Sequence, residues 1–194
     1  AATGTIAVGN ATTVTTATGE LTAFCNRRVS YRMQSVYTAA ELTALGLSSG
    51  NINSIAYNIT TIGDAATNAL YTVKMGTTNV NAFTDFISNT GFITVYNPAT
   101  YTHSVGINTI NFNTPYAWDG VSNIAIEVTH DGIDNINNAQ TYYTATTGNM
   151  IVYSYDGNTT GTPSLNRLNI IINGQKNIDN TANYTWQWNP GAVN

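Results

Sequence analysis

Apolar side chains recur at every second position through much of the chain, and the clearest run lies in residues 115–132, PYAWDGVSNIAIEVTHDG. There Ile124, Ile126 and Val128 alternate with Ala125, Glu127 and Thr129, which predicts a strand with one buried and one wet face. Asp119-Gly120 forms the turn that enters it, and Trp118 is expected to close the rim of the core. The same period sets Val29, Tyr31 and Met33 against Arg28, Ser30 and Arg32, and Ile55, Tyr57 and Ile59 against Ser54, Ala56 and Asn58. Further strands are expected in residues 70–75, 91–101, 105–114, 141–146, 150–155 and 168–173, with turns rich in Gly, Asn and Pro between them. Asn97-Pro98 reads as one of those turns. About ten strands at these spacings predict an all-β protein, a two-sheet, jelly-roll-like β-sandwich with one short helix.

The helix is expected where the period changes. Thr38-Ala39-Ala40-Glu41 has the capping-box form, Leu42 and Leu45 follow, and Gly46 stands where a helix should stop, which predicts about two turns over residues 39–45. Residues 81–86 are compatible with one helical turn. The first 20 residues are rich in Thr, Ala and Val and contain neither Lys nor Pro, so they read as an extended arm or edge strand. Three parts result: the arm over 1–20, a sandwich domain over 21–180, and a terminal strand or intermodular linker over 181–194.

Composition then narrows the chemistry. Only 8% of the residues are charged, with six Lys and Arg against ten Asp and Glu, so no basic surface is available for nucleic acid or an anionic membrane. No run of about 18 apolar residues predicts membrane insertion. The single Cys25 has no partner for an internal disulfide. No serine elbow, zinc-protease pair or Walker loop occurs, and His103 and His130, the two histidines, read as surface residues in a turn and at a strand end. A non-catalytic protein is therefore expected, without a cofactor other than calcium.

Three sets of residues are candidates for binding. Asp131, Asp134 and Asn135 lie in an oxygen-rich loop of the kind that hard cations prefer, which makes calcium the candidate metal. Tyr142, Tyr143 and Tyr155 are the rings expected to stand exposed and stack on a polysaccharide. Thr5, Ile6, Ala7 and Val8, with Trp186 and Trp188 at the other end, offer two apolar strands for association with identical subunits or neighbouring modules by strand addition.

Residues 30–130 carry a succession that includes Glu41, Leu42, Gly46, Ile52, Gly76, Thr77, Thr78, Val95, Tyr96, Gly106, Pro115, Trp118, Asp119, Gly120 and Asn123. It resembles a β-sandwich module repeated in large secreted, adhesin-like surface proteins of Bacteroidota, cargo of the type IX export route. The resemblance implies an extracellular or cell-surface location and a structural or adhesive role, with assembly into a filament or surface polymer as one form of it. A carbohydrate-binding module is the alternative that the tyrosines support.

Overall fold

The structure, a computed structural model, describes residues 2–177. In chain order its elements are β1 (Ala2–Val8), β2 (Thr13–Val14), β3 (Ser30–Tyr37), α1 (Ala39–Ala44), β4 (Leu47–Thr61), β5 (Thr67–Thr78) and β6 (Ile93–Thr102). There follow β7 (Gly106–Trp118), β8 (Asn123–Asp131), β9 (Gln140–Ala145), β10 (Ile151–Tyr155), β11 (Thr162–Ser164), β12 (Asn166–Leu168) and β13 (Ile170–Lys176). They form two antiparallel sheets. One is seven-stranded and runs β1-β13-β4-β9-β12, with β7 added to β4 and β2 to β9; the other is six-stranded and runs β11-β10-β3-β8-β5-β6. From β3 to β10 the chain crosses repeatedly between the sheets, giving the expected all-β sandwich a jelly-roll type of connectivity.

The alternating residues build the core as their period dictates. Ile55, Tyr57 and Ile59 of β4 face Tyr71, Val73 and Met75 of β5 and Ile124, Ile126 and Val128 of β8, all at most 1% exposed. Ile6 and Val8 of β1 join the same core, because β1 pairs along its length with β13. The helix starts at the capping box read from the sequence. Thr38 Oγ1 accepts from the Glu41 amide (3.2 Å), Glu41 Oε2 accepts from the Thr38 amide (3.2 Å), and Gly46 leaves the helix at φ 94°. Glu41 also pairs with Arg167, tying the helix to β12.

Trp118 is buried and donates Nε1 to the Ser122 carbonyl (2.8 Å), while Asp119 Oδ1 accepts from the amides of Val121 (3.0 Å) and Ser122 (2.8 Å). Asn123 accepts from the Ala39 amide (2.9 Å) and donates to Asn81 Oδ1 (2.8 Å). The Trp-Asp-Gly turn is thus closed on itself, and Asn123 just after it ties β8 to the helix and to a crossing segment.

Several local expectations are corrected. The polar face of β8 is not wet: Glu127 is 1% exposed, because residues 79–92 cross the outer face of the six-stranded sheet. Phe83 packs there on Val36 and Val152, with Phe86 and Ile87 beside them, and Gly76 leaves room for the Phe92 ring. Glu127 Oε2 accepts from Arg32 Nη2 (2.7 Å), Arg32 Nε (2.9 Å) and Gln34 Nε2 (2.9 Å), and Oε1 accepts from Asn89 Nδ2 (2.8 Å). A charge that leaves water needs such a full set of partners. Residues 81–86 form no helical turn, since their polar groups are engaged elsewhere. The Phe83 amide donates to the Asn149 carbonyl (2.7 Å), and Asp85 Oδ1 accepts from the amides of Phe86 (2.7 Å) and Gly161 (2.7 Å). Asn97 and Pro98 do not end β6. They sit in a bulge between the pairs Tyr71 with Ala99 and Val73 with Tyr96, on an edge strand where a missing amide is tolerated.

Both histidines are buried, not superficial. His130 continues the inward parity of Ile124, Ile126 and Val128, so it points into the core. It stacks between Tyr31 (5.3 Å between centroids) and Tyr71 (5.4 Å), and Tyr71 stacks in turn on Phe24 (5.4 Å), against which His103 lies (4.8 Å). This aromatic column closes one end of the sandwich.

Candidate functional site

The outer face of the seven-stranded sheet has no counterpart of the 79–92 crossing among the described residues. Its composition follows from the strands that make it. On β4 Ser54, Ala56 and Asn58 alternate with Ile55, Tyr57 and Ile59 and point away from the core. Strand register then lines up three rows: Thr5, Asn173, Ser54 and Asn111; Ala7, Ile171, Ala56 and Thr109; and Asn58 beside Ile107. Short side chains run down the middle and longer ones along both sides. The result is a trough of about 490 Å³ over Ser54 and Ala56, walled by β13 and β7 and including Asn53, which a bulge in β4 brings to the same face. A smaller concavity of about 170 Å³ shares Ala56 and Ile171 and carries the trough on to Asn58 and Tyr142.

Among the described residues no charged side chain lines either part. The polar groups there are hydroxyls and amides, and the side chains of Asn53, Ser54, Asn58, Thr109, Asn111 and Asn173 make no hydrogen bond to another described residue. Bonds near this face run from Tyr101 Oη to the Thr109 carbonyl (3.1 Å) and from Lys176 Nζ to the Thr5 carbonyl (3.2 Å), and Asn169 at the end of the trough accepts from Thr144 Oγ1 (2.7 Å) and donates to the Ala11 carbonyl (2.8 Å). At other positions amides pin loops. Asn108 donates to the carbonyls of Ser104 (2.7 Å) and Gly106 (2.9 Å), and Asn138 Oδ1 accepts from the amides of Asn26 (2.6 Å) and Arg27 (2.9 Å). In this neutral chain rich in Asn and Thr, some amides pin loops while those of the trough stay unbonded among the described residues.

The three tyrosines expected on a sugar platform do not converge. Tyr142 stands at the end of the trough. Its neighbour Tyr143 points the other way, packs on the core and lines a separate concavity of about 210 Å³ with Val14 and Thr15. Tyr155 belongs to the other sheet and carries the Arg28 guanidinium 3.9 Å above its ring.

The loop named for calcium is held by protein groups. Asp64 Oδ1 accepts from the Asn137 side-chain amide (3.1 Å) and Oδ2 from the main-chain amides of Asn137 (2.7 Å) and Ile136 (3.1 Å), and these bonds, the Asn137 side chain's foremost, hold its carboxyl below the usual carboxylate range. Asp134 is exposed in a left-handed turn at φ 55°, Asp131 ends β8, and the Asn135 amide donates to the Asn26 carbonyl (2.8 Å). Among the described residues no group of three His, Cys, Asp or Glu side chains is placed to hold a metal ion.

Thr5, Ile6, Ala7 and Val8 lie in β1, paired with Asn173, Ile172, Ile171 and Ile170 of the same chain. β1 is the edge of its sheet, so its other side is open among the described residues. Trp186 and Trp188 lie outside the described residues. Burial pushes the Cys25 thiol up to about 12 and His130 down to about 4, and lowers His103, so these groups are neutral core residues at pH 7. His130 Nε2 accepts from the Cys25 amide (3.3 Å), which places its proton on Nδ1, facing the Asp131 carbonyl (3.3 Å).

The trough was partly visible in the sequence, as the polar side of one alternating strand, Ser54, Ala56 and Asn58. What the sequence lacks is the register that sets Ser54 between Asn173 and Asn111.

No family model matches the chain, and no curated protein matches it significantly. Among solved structures it is similar to the cysteine protease and lectin-like domains of Cwp84, a surface layer associated protein of Clostridium difficile. That similarity has a TM-score of 0.47 at 14% identity, and covers 77% of this chain and 33% of the other. No helix among the described residues is long and apolar enough to cross a membrane.

Proposed function

We propose that this chain is a non-catalytic extracellular module with a structural and adhesive role, and that the open face of its seven-stranded sheet is the surface by which it adheres. One observation carries the reading. The two outer sheet faces are treated differently: residues 79–92 roof one with aromatic side chains over the fully bonded Glu127 carboxylate, while among the described residues the other keeps unbonded amides and hydroxyls around a concavity. A face that only had to meet water would need neither the small floor of Ser54 and Ala56 nor walls of Asn. The groups able to move protons support the same reading, since both histidines are locked in the aromatic column and Glu127 is saturated by its partners. The likeness of residues 30–130 to a repeated surface module of Bacteroidota supports an extracellular setting, with identical or neighbouring modules as partners along the open edge of β1.

The test is binding of fluorescently labelled protein to intact cell envelopes and secreted matrix of the producing cells. Ala56→Trp fills the trough without touching the core side of β4. It is expected to abolish envelope binding at an unchanged melting temperature, and equal binding by the two proteins would overturn the reading.

A further inference from the structure

We infer that the trough between β13 and β7 is a binding site for a single extended chain of neutral polysaccharide, lying lengthwise over β4. The inference rests on the adhesive reading and gives it a ligand class.

The chemistry of the lining selects the ligand. A polyol presents hydroxyls that both donate and accept, and an amide side chain offers both functions from one group. Asn53, Asn111 and Asn173 supply such amides around Ser54, and none is engaged by another described residue. Among the described residues no lining residue is charged, and the one cation at the margin, Lys176, already donates to the Thr5 carbonyl (3.2 Å), so most of an anionic polymer's charges would be taken out of water uncompensated. A protein partner is disfavoured for a different reason. Protein interfaces are anchored by large buried apolar or aromatic side chains, whereas here the larger apolar side chains are dispersed: Ile107, 60% exposed, Ile171 beside the floor, and Ile170 and Tyr142 toward one end, with only the small Ala7 and Ala56 between them. That distribution suits a sugar, whose ring has apolar C–H faces and a polar rim, and Tyr142 offers the flat ring on which such a face stacks.

Shape agrees with chemistry. The volume of about 490 Å³ falls within the roughly 300–1,000 Å³ of small-ligand clefts. The trough is walled along β13 and β7 but continues past Ala56 to Asn58 and Tyr142, so it admits a chain that runs through and not only a terminal unit. The lining sits on paired strands, which hold the amides in place before a ligand arrives and limit the ordering cost of binding.

Affinity electrophoresis of the full chain through gels containing a β-1,3-glucan, a β-1,4-glucan, an α-glucan, an α-mannan or a galactan tests this, with alginate as an anionic control. At least one neutral polymer is expected to retard the protein, and alginate is not. The retarding polymer should bind roughly tenfold more weakly to Asn111→Ala/Asn173→Ala and to Ala56→Trp, and equally well to Tyr155→Ala on the other sheet. Melting curves establish that each variant is folded. Retardation by none of the neutral polymers, by alginate alone, or undiminished in both trough variants would overturn the inference. So would light scattering that shows the wild-type protein, but not Ala56→Trp, to be a dimer, since the face would then belong to a second copy. Envelope binding that Ala56→Trp abolishes, without retardation by any neutral polymer, would retain the adhesive reading and reject the sugar.

Discussion

At the scale of single residues, His130 shows how a chemically capable group becomes a packing element. It is stacked between Tyr31 and Tyr71 and burial lowers its pKa from 6.5 to about 4. Between those values the unfolded chain binds a proton that the folded chain refuses, so stability falls as the pH drops from 6.5 toward 4 and is unaffected by this group above 6.5. The shift corresponds to roughly 3 kcal/mol. His130→Phe keeps the stack but cannot titrate, and chemical denaturation at pH 7 and pH 4 should show a smaller acid loss in the variant. Equal losses would mean that the imidazole is not held neutral. Cys25 also packs as an apolar residue, with its thiol pushed up to about 12.

At the scale of elements, the segment 79–92 is fixed by polar bonds that converge on Glu127. Glu127→Ala leaves the Arg32 guanidinium without its carboxylate and removes an acceptor from Gln34 and Asn89; Arg32 is 30% exposed and can recover water, so the loss of stability is expected below the roughly 3–5 kcal/mol of a fully buried pair. Urea denaturation should show that loss together with new proteolytic cleavage inside 79–92. A variant as stable and as resistant as the parent would contradict the role given to this network. The loop after β8 makes a second prediction. Asp64 and Asn138 already supply its hydrogen bonds, so a calcium chelator is expected to leave the melting temperature unchanged. A fall on chelation would assign a cation to Asp131 and Asp134.

How much of these elements could be read beforehand depended on whether the signal was local. The capping box of Thr38 and Glu41, the turn at Asp119-Gly120 and the inward residues of β4, β5 and β8 are set by neighbours in sequence, and they were legible. Glu127 and His130 were not, because alternation tells which side of a strand a residue takes but not what covers that side. For Glu127 the cover comes from residues about 40 positions away. Asn97-Pro98 was misread for the same reason: as a dipeptide it is a turn, and only its place on an edge strand lets β6 run through it. The trough lies between these cases. Ser54, Ala56 and Asn58 were assigned to the polar side of their strand, yet their concavity depends on cross-strand register with β13 and β7.

At the scale of the whole molecule, the first strand belongs to the sandwich. Ile6 and Val8 are buried in the core and β1 extends the sheet beyond β13, so removal of residues 1–8 should abolish cooperative thermal unfolding. If the shortened protein stays folded and only its mass by light scattering changes, β1 is an assembly arm and not an integral strand. The asymmetry between the roofed and the open sheet is the feature on which the functional account turns. Nuclear magnetic resonance of the isotope-labelled protein tests it most directly, through the side-chain amide signals of asparagine during titration with the neutral polysaccharide that best retards the chain. The account predicts shifts of Asn53, Asn111 and Asn173, with Asn89 and Asn123 on the roofed side unmoved. Shifts centred on residues 79–92, or on the Tyr155 side of the other sheet with the trough amides unmoved, would contradict it.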